Sequence, residues 1–107
     1  MIVEYIRYDL TSQAGSDLES AVGAAGAALS RAAGCRGWEL AKAVDREDVY
    51  QLRVEWESLD AVEGFKQTAG FEAVLTALGP FQTETGPVVL CRPVAASVQP
   101  EHAAEPL

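Results

Sequence analysis

The sequence predicts one α+β domain, an antiparallel sheet that carries its helices on a single face. Three observations predict it. Tyr50, Leu52, Val54 and Trp56 alternate with Gln51, Arg53, Glu55 and Glu57, so a strand there has one apolar and one charged face. The apolar spacing then becomes helical: Leu59, Val62 and Phe65 are followed by Phe71, Val74, Leu75 and Leu78 at i, i+3, i+4 and i+7. Ile2 to Leu10, Cys35 to Val44 and Phe81 to Arg92 have strand composition, and an alanine-rich helical stretch separates the first two.

Ile2 to Leu10 is the first strand. Val3, Tyr5 and Arg7 point one way, and Glu4, Ile6 and Tyr8 the other. Each face holds one charge, so the pattern leaves open which face meets the core. Thr11 to Gly15 is a connector. Ser16-Asp17-Leu18-Glu19 fits a capping box, with the serine oxygen accepting from the third amide and Glu19 reaching back. The helix runs to about Ala33 on a stripe of Leu18, Val22, Ala25 and Leu29, and Gly34 suits the position just past its end. Gly23 and Gly26 each cost about 1 kcal/mol against alanine in mid-helix, so they either permit close packing or are simply tolerated.

Cys35 to Val44 is the second strand, with Trp38, Leu40, Lys42 and Val44 alternating with Gly37, Glu39, Ala41 and Ala43. Asp45-Arg46-Glu47-Asp48 is a polar loop into the third strand, Val49 to Glu57. Ser58 is placed as an N-cap and Asp60 suits the first helical turn. Gly70 breaks the helical run, and Gly79-Pro80 ends it. In the fourth strand, Phe81 to Arg92, Gly86-Pro87 marks a bulge or a sheet edge, because proline lacks the ladder N–H. The domain therefore spans residues 1–92. Residues 93–107 are small, polar and proline-bearing, and read as a mobile tail.

The order βαββααβ is the split, ferredoxin-like arrangement. Its helices use one sheet face, so the other must meet water or a partner. Gln51, Arg53, Glu55 and Glu39 make that second face polar, while Gly37, Ala41 and Ala43 are small enough to admit another sheet. Glu39 and Arg53, on adjacent strands, are the candidate ion pair.

A hydrophobic content of 49% fits a packed domain. The net charge of −8, from 16 acidic and 8 basic residues, argues against nucleic acid or an anionic membrane surface as the partner. No apolar run is long enough to span a bilayer, and Met1-Ile2-Val3-Glu4 lacks the features of a signal peptide, so a cytoplasmic location is expected. Cys35 and Cys91 are expected as free thiols. One histidine, His102, leaves too few ligands for a metal site. There is no Ser/His/Asp set and no phosphate-cradling glycine loop.

The expected pocket lies between the helix layer and the apolar sheet face. Trp38, Tyr50, Leu52, Val54 and Trp56 would form its floor, and Val62, Phe65, Phe71, Leu75 and Leu78 its wall. Such a cavity suits a small aromatic molecule. The plainer reading of the same side chains is core packing. Candidate polar groups are Tyr50 and Tyr5, which would hydrogen-bond a phenolate, and Arg53 and Arg7, which would offset its charge if they face inward.

A strand ending in Trp56-Glu57-Ser58, a short helix, and an aromatic-led helix closing at Gly79-Pro80 together resemble the antibiotic biosynthesis monooxygenase-like family. The resemblance extends over roughly Ile2 to Arg92. It implies a ferredoxin-like protomer that pairs sheet to sheet, as a homodimer, into a dimeric α+β barrel. It also implies oxidation of phenol- or quinol-like aromatics by O2, with no metal, flavin or other cofactor. Trp56 matches the family's tryptophan before Glu-Ser. Leu52 stands where the quinone-forming members place an asparagine, and Val62 where they place a tyrosine. The haem-degrading relatives use a helix histidine, and no predicted helix here contains one. Two functions are carried forward: a cofactor-independent monooxygenase, and a non-catalytic binding or accessory protein with the same pocket.

Overall fold

The structure, a computed structural model, describes residues 1–10 and 15–96, with the backbone alone over 82–87. The elements follow the expected order: β1 (Ile2–Asp9), α1 (Gly15–Ser30), β2 (Cys35–Lys42), β3 (Val49–Trp56), α2 (Leu59–Phe65), α3 (Ala69–Leu78) and β4 (Thr85–Cys91). A 3-10 helix, Gly79–Glu84, joins the last two. The sheet order is β2-β3-β1-β4 and every neighbouring pair is antiparallel, which is the ferredoxin-like topology.

Register settles the parity of β1. Ile2, Glu4, Ile6 and Tyr8 stand opposite Trp56, Val54, Leu52 and Tyr50. Directly opposed residues share a face, and this is the face beneath the helices. Tyr8, Tyr50, Leu52, Val54 and Trp56 are all buried there. Tyr5, Arg7 and Val3 take the open face with Arg53, Gln51 and Glu55.

Leu18, Val22, Ala25 and Leu29 bury the inner side of α1 as their spacing predicts. Gly26 lies on the same side, and a Cβ there would collide with the Trp38 ring, so this glycine permits a close approach; Gly23 faces open space. The Trp38 indole N–H donates to Ser30 Oγ at 3.3 Å.

The capping box does not form. α1 begins at Gly15, which puts Ser16 inside the first turn. The Tyr50 hydroxyl donates to Glu19 Oε2 at 2.5 Å. A buried phenol needs an acceptor, and that need takes the carboxylate away from the helix end. The bond to Glu19 and burial together push the Tyr50 pKa up to about 12. α1 stops at Ser30 rather than Ala33, because Arg31 and Ala32 donate to the Ala28 and Leu29 carbonyls in a tighter turn. Gly34 then takes φ +83°, and its carbonyl accepts from the Glu57 N–H at 2.8 Å. A Cβ at Gly34 would lie 2.5 Å from that of Ala61, so both conformation and space call for glycine.

Ser58 caps α2 as expected, accepting from the Ala61 N–H at 3.1 Å. The break between α2 and α3 is set by Thr68, not Gly70. The Thr68 hydroxyl accepts from the Phe71 N–H at 3.3 Å, and Gly70 sits inside the first turn. After Leu78 the backbone tightens into the 3-10 helix, so β4 starts at Thr85 rather than Phe81, and Phe81 is buried. β4 is an edge strand, and its pairing with β1 shifts register between Ile6 and Tyr8, beside Gly86-Pro87. Of the expected tail, Pro93 to Ala96 have no regular structure; the remainder and most of the Thr11–Gly15 connector lie outside the described residues.

Candidate functional site

α3 packs against α1 rather than directly on the sheet, and α2 touches only β3 closely. A cavity of about 300 Å³ is left between that helix pair and β1, β3 and β4. Ile6, Leu52, Val54 and Trp56 form its floor, and Val62, Phe65, Phe71, Val74, Leu75 and Leu78 its wall. Val88 and Leu90 of the edge strand lie at one side. Leu75, Val88 and Leu90 are 48%, 51% and 40% exposed, which marks where the cavity opens.

One wall is an aromatic series. Trp56 and Phe65 have ring centroids 5.3 Å apart in a tilted pair, and Phe65 and Phe71 meet edge to face at 5.9 Å. Among the described residues, three polar side chains reach the lining: Glu4, Tyr8 and Lys66. Glu4 is half-buried, and its Oε1 accepts from the Trp56 indole N–H at 3.1 Å. Lys66 is paired with Glu63 at 3.3 Å on the exposed side of α2.

Leu52, Val54, Trp56, Val62, Phe65, Phe71 and Leu75 are thus brought together around one cavity. Trp38 is not among them; it shares their sheet face but lies beneath α1, against Gly26. Tyr50 is also on that face, tied to Glu19 and outside the lining. Tyr5, Arg7 and Arg53 do not face inward, because register sends all three to the open face. Arg53 donates to the Tyr5 hydroxyl and to Glu55, and these bonds, Tyr5 first, push its pKa up. Glu39 is opposite Arg53 in register, but the guanidinium is taken by Tyr5 and by the carboxylate two residues along its own strand. Arg7 pairs with Asp9 at 3.1 Å.

Sequence reasoning missed Glu4, Tyr8 and Lys66. The signal for the first two was their shared parity with Ile6; nothing in the pattern marked Lys66. A wider groove, about 730 Å³, runs between the end of α1 and α2–α3, but alanine and glycine make up most of its lining and give a ligand little to grip. Among the described residues no three His, Cys, Asp or Glu side chains gather as a metal site. The smaller cavity can therefore enclose a flat apolar molecule and, among the described residues, offer it the carboxylate of Glu4.

Known proteins share this architecture. A proposed antibiotic biosynthesis monooxygenase of Bordetella bronchiseptica superposes with a TM-score of 0.75 at 27% identity, over 88% of this chain and 97% of that one. SnoaB of Streptomyces nogalater, a cofactor-independent oxygenase, gives a TM-score of 0.74 at 22% identity, over 94% of this chain and 97% of its own. A proposed antibiotic biosynthesis monooxygenase of Nitrosomonas europaea gives 0.73 at 11% identity, over 89% of this chain and 100% of that one. The last two likenesses are of fold alone. No curated protein matches the sequence. The family model for antibiotic biosynthesis monooxygenases matches residues 1–77, from β1 through most of α3. This chain belongs to the antibiotic biosynthesis monooxygenase family.

Proposed function

We propose that this chain is a cofactor-independent oxygenase of a small phenol- or quinol-like aromatic, bound in the cavity between β1, β3 and α2–α3. The observation that carries the reading is the aromatic wall Trp56–Phe65–Phe71 over a cavity of about 300 Å³. That volume is at the small end of ligand pockets, so it suits a molecule of one or two rings. The reaction needs no outside reductant: a phenol with a free para position and O2 give a quinone and water. The protein's part is to bind the ring, exclude water and hold the reacting oxygen in place. The fold shared with SnoaB supports this reading.

A second reading, a binding or accessory protein, is favoured by one observation. Among the described residues, every one in the lining except Glu4, Tyr8 and Lys66 is apolar, which suffices to hold a ring and supplies little chemistry. Calorimetric titration with naphthols, beside an oxygen electrode, separates the two. Binding with O2 uptake, both weakened about tenfold or more in Phe71→Ala, supports the oxygenase. Binding without uptake supports the second reading, and no binding ends both.

The proposal includes a homodimer closed through the open sheet face. Val89 is 47% exposed there, and Arg53, Glu39 and Glu55 offer both signs of charge to a second copy. Light scattering should give twice the 11.4 kDa chain mass, and Val89→Glu should shift it towards the monomer. A reducing, cytoplasmic setting is part of the reading, since Cys35 and Cys91 are free and burial pushes the Cys35 thiol pKa up.

A further inference from the structure

We propose that Glu4 is the proton acceptor of the cavity and makes it select an aromatic whose hydroxyl is still protonated. The inference rests on the reading that the cavity takes a hydroxylated aromatic. Glu4 stands on the helix-facing side of β1, opposite Val54 on one neighbour and Leu90 on the other. A half-buried carboxylate among such residues is costly unless it is bonded. The Trp56 indole N–H supplies one bond, to Oε1 at 3.1 Å. A carboxylate can accept about four, and an indole can only donate. Trp56 therefore fixes the group as an acceptor and leaves capacity for whatever fills the cavity.

The charges around it set the selection. No arginine reaches the lining; Arg7 and Arg53 lie on the other face of the sheet. The one cation among the described lining residues, Lys66, is already paired with Glu63 at 3.3 Å. A phenolate entering this cavity meets a like charge with little water to screen it. A neutral hydroxyl instead donates a short, charge-assisted bond to the carboxylate. During turnover the substrate O–H bond breaks, its proton passes to Glu4, and the electron pair stays on the ring oxygen. The electron-rich ring then reduces O2, a C–O bond forms para to that oxygen, and the ring carbon loses its own proton as the O–O bond breaks. The ring ends as the quinone. The second oxygen leaves as water, which takes up the proton held by Glu4. Glu4 would touch the reacting hydroxyl and is the catalytic residue; Trp56 acts through it and is a positioning residue.

The test is calorimetric titration of the full chain with naphthol and with its methyl ether, across the pH range in which naphthol ionises, beside oxygen uptake. Wild type should bind naphthol roughly tenfold more tightly than the ether below that ionisation. The preference should vanish above it. Glu4→Gln, which keeps the side-chain volume, should lose the preference and lower kcat roughly 100-fold or more with a smaller change in KM. Trp56→Phe removes the indole donor that holds the carboxylate, so kcat should fall with a smaller change in KM. Should Glu4→Gln melt early, Glu4→Asp serves instead: it should keep the preference and lose kcat through the shortened reach. Unchanged preference and kcat in Glu4→Gln, or unchanged kcat in Glu4→Asp, overturns the inference while the oxygenase reading stands. If wild type binds neither ligand, that reading fails and this inference fails with it.

Discussion

Over β2 and β3, α1 lies so close to the sheet that Gly26 has no room for a methyl group; beside β1 and β4, α3 stands off and leaves about 300 Å³. Both helices carry an apolar stripe of helical period. The residues in the stripe differ. On α1 they are interleaved with alanine and glycine, which let the backbone descend, and four of its large or small apolar residues are buried. On α3 the stripe is Phe71, Val74, Leu75 and Leu78, and only Leu78 is buried. Bulky residues hold α3 away from the sheet and then line the gap they create. One half of the helix layer is core, and the other half is cavity wall built from the same kind of pattern.

The comparison is most easily broken by truncating each stripe in turn. Leu18→Ala, in the packed half, should lower unfolding free energy by about 3 kcal/mol. Leu75→Ala, at the cavity mouth, should change it by about 0.5 kcal/mol or less. Urea unfolding of both variants checks this, and equal losses would mean that the two halves are packed alike. Gly26→Val should cost about 2 kcal/mol, because the added methyl groups overlap the Trp38 ring and force it out of its place beneath α1.

Tyr50→Phe should cost about 1 kcal/mol, since it removes the bond to Glu19 but leaves that carboxylate able to reach water. It should also change how stability depends on pH. The Tyr50 pKa is raised in the folded chain to about 12, against about 10 for a free tyrosine. Its contribution is complete below pH 10 and is lost as pH rises from about 10 through about 12. The stability gap between wild type and Tyr50→Phe should therefore close over that window, as read by unfolding at stepped pH. In the open half, Val74→Phe should stay within about 1 kcal/mol of wild type while abolishing ligand binding, because the added ring enters the cavity.

The fold was largely legible because each strand and helix declares its period locally. β3 alternates without exception, and Ser58 sits where its side chain can only cap. What was not legible depended on contacts far apart in the chain. Glu19 satisfies a local capping pattern, but its partner is Tyr50, 31 positions away. The parity of β1 could not be read because Glu4 and Arg7 put a charge on each face; only pairing with β3 decides it. Trp38 has the right parity for the cavity floor, yet β2 lies under α1, and a one-dimensional pattern does not say which helix covers which part of a sheet. Glu4 was passed over for the same reason as the parity. Arg53 and Tyr5 were legible as polar groups, but register sends them to the other face.

The central claim, that the hollow half is the binding half, is tested most directly by the two indole N–H signals in a nitrogen–proton correlation spectrum. Trp56 donates to Glu4 in the cavity, and Trp38 donates to Ser30 beneath α1. On titration with naphthol the Trp56 indole signal should shift saturably while that of Trp38 stays within its line width. A shift of Trp38 alone, or of neither, would contradict the account and return Trp56, Phe65 and Phe71 to the ordinary core.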